Sequence, residues 1–150
     1  MPRGDQSPPA SLLIVDDNEA IRESIRLLLE DAGYTILEAS NGHDALTVLR
    51  ESSQPLVVLL DDRMPDLSGE EVLRAVLRDR QLRRRHTFIL LSAAPHLSRR
   101  LRLQRMLQAL AIEVVPKPFD VADLEEAVVR AQTRQHHLRS FRLPVPGRSR

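Results

Sequence analysis

Between Leu56 and Gly69 the chain reads LVVLLDDRMPDLSG: five apolar residues without a polar break, two adjacent aspartates, then a turn-prone segment. So short a run, bounded by turn signals, suits a strand buried on both faces, as in a parallel sheet covered by helices. Asp61 then stands at the carboxyl end of that strand. In open α/β sheets this end carries the chemistry, because the loops leaving the strands form a crevice there. The stretch therefore predicts both a fold class and a place to look for a site.

The rest of the chain repeats the pattern. Leu12 to Val15 is an apolar run that ends at Asp16 and Asp17, and Asn18 is placed to cap a helix beginning near Glu19. Ile21, Ile25, Leu28 and Leu29 follow at helical spacing, and Gly33 is placed to end that helix. Thr35 to Ala39 reads as a second strand. Asn41-Gly42 marks a turn, Ala45, Leu46 and Leu49 give a short helix, and Ser52 to Pro55 ends it before the third strand. After Gly69, Val72, Leu73, Val76 and Leu77 predict a helix that runs out among Arg80 to Arg85. Thr87 to Leu91 is a fourth strand ending at Ser92. A helical stripe follows at Leu97, Leu101, Met106, Leu107 and Leu110. Glu113 to Val115 is a brief fifth strand ahead of Pro116-Lys117-Pro118-Phe119, and Leu124, Ala127, Val128 and Ala131 form the last helix. The order βαβαβαβαβα implies a parallel sheet with helices on both faces and right-handed crossovers.

Residues 1–10 read as a disordered lead-in, residues 11–135 as one domain, and residues 136–150 as a basic, mobile tail. The five histidines, His43, His86, His96, His136 and His137, lack ligand spacing and read as surface residues.

Four strand ends thus aim polar groups at one edge: Asp16 and Asp17, Asp61, Ser92 and Lys117. Three carboxylates gathered there repel one another strongly at reduced dielectric, so a hard cation is the natural partner. Magnesium, which takes carboxylate, water and phosphate oxygens, fits that set, with Ser92 and Lys117 left to hold the remaining oxygens of a phosphoryl group. Asp61 is then the candidate nucleophile, giving an acyl phosphate, a charge change large enough to act as a switch.

Composition narrows the classes. With no cysteine, disulfides and thiolate chemistry are excluded, and no apolar run approaches the roughly 20 residues that span a bilayer. A cytoplasmic location is the expectation. The net charge of +1 hides an asymmetry: residues 1–73 hold 5 basic and 15 acidic side chains (−10), residues 74–150 hold 17 and 6 (+11). Lys117 is the single lysine among 22 basic residues, which draws attention to it.

The motifs VDDN at Val15 to Asn18, LLDDRMPDLSG at Leu59 to Gly69, LLSAA at Leu90 to Ala94 and PKPF at Pro116 to Phe119, in this order, resemble the receiver domain of two-component response regulators. The resemblance covers roughly Ser11 to Gln135. It implies a flavodoxin-like, doubly wound (βα)5 fold with a five-stranded parallel sheet in the order 2-1-3-4-5. It also implies that Asp61, not Asp62, is the phosphoacceptor, and that Asp17, Asp61 and the backbone carbonyl of Arg63 ligate Mg²⁺, with Asp16 acting through a metal-bound water. Ser92 and Lys117 would contact the phosphoryl group, and Lys117-Pro118 would be cis. Departures are equally visible. Val114 stands where the family usually has Tyr or Phe, Leu110-Ala111 where Gly-Ala is common, and the interval from Ser92 to Lys117 is longer than usual. Arg63 and Ala94 occupy places that influence the lifetime of the phosphate.

The expectation is a stand-alone receiver that accepts a phosphoryl group from a sensor histidine kinase or phosphotransfer protein and answers by binding a downstream protein. The alternative is a phosphorylation-independent interaction module, with Val114 as its sign. Enzymatic activity on a separate substrate is not expected, beyond self-phosphorylation from small donors and slow autodephosphorylation. An aspartate-nucleophile phosphatase would need an acid two residues after Asp61, where Arg63 stands. The arginines of Arg74 to Arg85 and Arg99 to Arg105 read first as a solvated helix face and second as a docking surface on the fourth helix, fifth strand and fifth helix. A homodimer is open. Neither membrane nor nucleic acid is an expected partner, since no DNA-reading helix-turn-helix follows residue 135 and aromatics are few.

Overall fold

The computed structural model describes residues 10–93 and 99–140, with side chains as far as His137. The sequence readings on residues 1–9, Ala94, His96, Leu97 and residues 141–150 lie outside the described residues. Five strands, β1 (Ser11–Val15), β2 (Thr35–Ala39), β3 (Leu56–Asp61), β4 (Thr87–Ser92) and β5 (Glu113–Pro116), form one parallel sheet in the order β2-β1-β3-β4-β5. Among the described residues six α-helices connect and cover them: α1 (Glu19–Asp31), α2 (Gly42–Glu51), α3 (Gly69–Arg78), α4 (Arg80–Arg85), α5 (Leu101–Ala109) and α6 (Val121–Ser140).

Alternation along the strands builds two cores. Leu13, Val15, Val58, Leu60, Phe88 and Leu90 face α2, α3, α4 and α5, whereas Leu12, Ile14, Val57, Leu59, Ile89 and Leu91 face α1 and α6. Every residue of β3 is buried, which explains its unbroken apolar run. On the second face Leu124, Ala127, Val128 and Ala131 of α6 are fully buried, as their spacing predicts, while Ile21 of α1 stays exposed and leaves Ile25 and Leu29 to fill that position.

Three sequence readings need correction. The helix after Gly69 does not run on through the arginines. It stops at Arg78, and Asp79, extended at φ −108° and ψ 104°, caps a new helix by accepting from the N–H groups of Gln81 and Leu82. The cause is the apolar stripe: nothing after the partly buried Leu77 continues its phase, and restarting the helix at Arg80 turns Leu82 into the core. The fourth and fifth helices of the sequence reading are accordingly α5 and α6. Second, α6 continues through Ser140, so residues 136–140 belong to a helix and not to a mobile tail. Third, His86 is not a surface residue but is 4 % exposed, held between the second helix and the third strand.

Candidate functional site at the carboxyl edge of the sheet

Each strand delivers its polar residue for a local reason. β1 passes Val15 into a turn in which Asn18 both caps α1, accepting from the Ile21 N–H at 3.1 Å, and donates its own N–H to Asp16 Oδ1 at 2.9 Å. Arg22 holds the Asp16 carbonyl at 2.8 Å, fixing the same turn from the helix side. β3 ends at Asp61. The chain then doubles back so closely that Gly69 N–H donates to the Asp62 carbonyl at 2.9 Å, and a Cβ at Gly69 would collide with the Asp61 carbonyl oxygen. Ser68 begins α3 with a reciprocal capping box to Glu71, which locks the turn that aims Asp61. β5 ends in the cis Lys117-Pro118 bond, and the Lys117 N–H donates to the Ser92 carbonyl at 2.9 Å.

The side chains converge as the strand ends suggest. Asp16, Asp17 and Asp61 each offer a carboxylate oxygen within 4.8 Å of the others. Lys117 Nζ donates to Asp61 Oδ1 at 2.9 Å and lies 3.5 Å from Asp16 Oδ2. That longer approach is an ion pair without a hydrogen bond, so Asp16 Oδ2 remains buried with no hydrogen-bond partner. Burial pushes the Asp61 carboxyl above its ordinary pKa; the bond and charge of Lys117 pull it down, Asp16 and Asp17 push it up, and the balance is a raised value. For Lys117, burial alone would depress the ammonium, but its bond to Asp61 and the charges of Asp61 and Asp16 outweigh that and raise it.

Three carboxylates against one ammonium, with an orphaned buried oxygen aimed among them, are a donor set that fits a hard divalent cation with oxygen ligands. Among the described residues this is the one group of acidic or histidine side chains so arranged.

Ser92 and Asp62 depart from expectation. The Ser92 hydroxyl, 4 % exposed, donates to Asp62 Oδ2 at 3.1 Å. Asp62, to which sequence reasoning assigns no role, is 2 % exposed and paired with Arg100, whose two terminal nitrogens donate to it at 2.7 and 3.2 Å. Arg100 also donates to Glu70 Oε2 at 2.7 Å. These bonds hold the guanidinium raised above its ordinary pKa. Arg100 is thus anchored in the site and is not part of a free basic face. Arg63 sits exposed in the turn after Asp62, lining an open crevice with Met64, Pro65 and Ser68. Val114 is half-buried against the α3 and α5 side of the core.

A doubly wound sheet of order β2-β1-β3-β4-β5, bearing an acidic trio and a lysine at its carboxyl edge, has the architecture of CheY-like, flavodoxin-fold receivers. The family model described as response regulator receiver domain matches residues 12–129, and the chain belongs to that family. It is similar to the response regulator MprA of Mycolicibacterium vanbaalenii, 36 % identical over 77 % of this chain and 47 % of that protein. It is also similar to the transcriptional regulatory protein HprR of Escherichia coli K12, 31 % identical over 91 % and 57 %. The chain therefore spans about half the length of these curated relatives. Among solved structures it resembles the chemotaxis protein CheY4 of Vibrio cholerae, with a TM-score of 0.69 and 26 % identity over 82 % of this chain and 98 % of that one. No described helix is long and apolar enough to cross a membrane.

Proposed function

We propose that this receiver accepts a phosphoryl group on Asp61, in a magnesium-dependent transfer from a histidine kinase or phosphotransfer protein, and that it acts in the cytoplasm with protein binding as the output of the receiver domain. The observation that carries this reading is the meeting of Asp61 with Asp16, Asp17 and Lys117 at one strand edge. An Asp61 carboxylate oxygen forms the new bond to phosphorus. The bond from phosphorus to the donor breaks, and its electron pair leaves with the donor atom, acetate oxygen from acetyl phosphate or imidazole nitrogen from a phosphohistidine. Asp17, Asp61 and the Arg63 carbonyl would hold Mg²⁺, with Asp16 at one remove through water. When bound, the ion neutralises charge on the transferring oxygens. Lys117, already on Asp61, is placed to follow a phosphoryl oxygen, and Ser92 supplies a hydroxyl from β4. The chain is an acceptor and not an enzyme for a separate substrate, since Arg63 stands where a phosphatase needs an acid. Downstream binding falls to the face of α5, β5 and α6, where Arg102 and Arg105 are exposed.

The test is intact mass after incubation with Mg²⁺ and acetyl phosphate. The wild type gains one phosphate and Asp61→Asn gains none. Absence of an Asp61-dependent gain overturns the reading in favour of a phosphorylation-independent interaction module, for which Val114 in place of an aromatic is the motivating feature.

A further inference from the structure

The Asp62 carboxylate lies one residue beyond the proposed acceptor and is the most completely buried acid that the proposed chemistry leaves unused, 2 % exposed beside Asp61. Its position follows from strand register. Asp61 pairs with Leu91, so Asp62 comes beside Ser92 on the next step, and both fall on the face that Leu60 and Leu90 turn toward α3 and α5. Three donors converge on Asp62: the Ser92 hydroxyl and two guanidinium nitrogens of Arg100. Arg100 is the residue from which α5 starts. It makes no side-chain cap, yet its carbonyl accepts the first bond of the helix, from the Gln104 N–H at 2.9 Å. Its guanidinium also reaches Glu70 in the first turn of α3. One ionic group therefore ties the start of α5 to the end of β3 and the start of α3.

A serine hydroxyl carries a single proton, and a carboxylate or a phosphoryl oxygen can only accept it. Ser92 cannot serve Asp62 and a phosphoryl group on Asp61 together. We propose that Asp62 and Arg100 are positioning residues for phosphoryl acceptance: Asp62 holds the Ser92 proton away from Asp61, and Arg100 sets the strength of that hold by taking up part of the carboxylate, which links it to the start of α5. This rests on Asp61 being the acceptor. It assigns a role to two residues that neither the fold nor the acidic trio requires, and it gives a route from the site to α5 that does not pass through Val114.

The two partners of the ion pair have opposite expected effects, which a purely structural role would not produce. Asp62→Asn weakens the competing acceptor and loosens its hold on the Ser92 proton, so acetyl phosphate loads Asp61 roughly three- to tenfold faster. Arg100→Ala leaves Asp62 more dependent on Ser92 and slows loading by a similar factor, while Arg100→Lys falls between it and wild type. The gain of Asp62→Asn disappears in a Ser92→Ala background, whereas a simple electrostatic effect of removing a charge beside Asp61 would persist there. Loading rates of Asp62→Asn and Arg100→Ala that move in the same direction, or a gain that survives Ser92→Ala, overturn the proposal. A second measurement needs no phosphate: amide exchange at Gln104 rises about threefold or more in Asp62→Asn with no donor present, as the tether on α5 weakens. If wild type takes no phosphate on Asp61, the acceptor reading fails by itself. Unchanged exchange at Gln104 overturns the tether whatever the loading assay gives.

Discussion

His86 supplies the backbone with partners that the sheet itself cannot. Its Nδ1 accepts the Leu56 N–H at 3.1 Å where β3 begins, and that forces the proton onto Nε2, which donates to the Leu49 carbonyl at 2.9 Å. Protonating Nδ1 would break the first bond, and burial, followed by the charge of neighbouring Arg85, lowers the imidazole pKa against the opposing pull of the Leu49 bond. A base depressed in the folded state binds fewer protons there than in the unfolded chain, so stability is full above the ordinary value near 6.5 and falls as pH drops through it. Urea midpoints should decline from about pH 7.5 to about pH 5.5, and His86→Ala, less stable by about 2–4 kcal/mol, should show a flatter profile across that interval. Asp61, whose raised pKa acts with the opposite sign, is common to both proteins and cancels in the difference; parallel profiles would refute the assignment. That His86 is buried was not legible in RRRHT, because its partners lie 30 and 37 residues away. Asp62 and Arg100, 38 residues apart, escape local reading for the same reason. Asp16, Asp17, Asp61 and Lys117 were legible because each stands at the end of a strand or within two residues of it, a signal that a few adjacent residues carry.

Helix ends show the same division between local and distant causes. α1 closes with Gly33 at φ +96°, the Gly33 and Tyr34 N–H groups donating to the Glu30 and Leu29 carbonyls, a Schellman ending that the glycine announces in the sequence. α5 closes by the same pattern, Ala111 to Gln108 and Ile112 to Leu107, but with Ala111 and not a glycine at the left-handed position, φ +52°. An alanine there pays about 1–2 kcal/mol for its Cβ, more than the roughly 0.5–1 kcal/mol that glycine loses in the unfolded chain. Ala111→Gly should therefore raise stability by up to about 1 kcal/mol in chemical denaturation, and a loss of stability would contradict the left-handed ending. The break between α3 and α4 is a further case. Asp79 ends one helix and caps the next, and Leu82 depends on that restart for its place in the core. Asp79→Ala should cost about 0.5–2 kcal/mol while Asp79→Asn, an equal cap, stays close to wild type. Equal losses would point to the charge and not to the cap.

On the scale of the whole molecule, the acidic first half and the basic second half meet at the carboxyl edge of the sheet. The acidic half supplies Asp16, Asp17 and Asp61, and the basic half returns a single ammonium, Lys117, so the folded state gathers more negative charge than it compensates. Unfolding disperses those charges, which makes the site a locus of repulsion that a cation relieves only in the folded chain. By linkage, Mg²⁺ at 100 times its dissociation constant should add about 2.7 kcal/mol, moving the thermal midpoint of a chain this long by roughly 5–10 °C. Sodium chloride at matched ionic strength serves as the control, because general screening weakens all exposed pairs without occupying this site. Asp17→Asn should behave oppositely in the two states of the site: slightly more stable than wild type without magnesium, since one repelling charge is gone, and nearly unresponsive when magnesium is added. A wild-type midpoint that does not move with millimolar Mg²⁺, or an Asp17→Asn midpoint that moves just as far, would mean that the three carboxylates do not act together as a cation site.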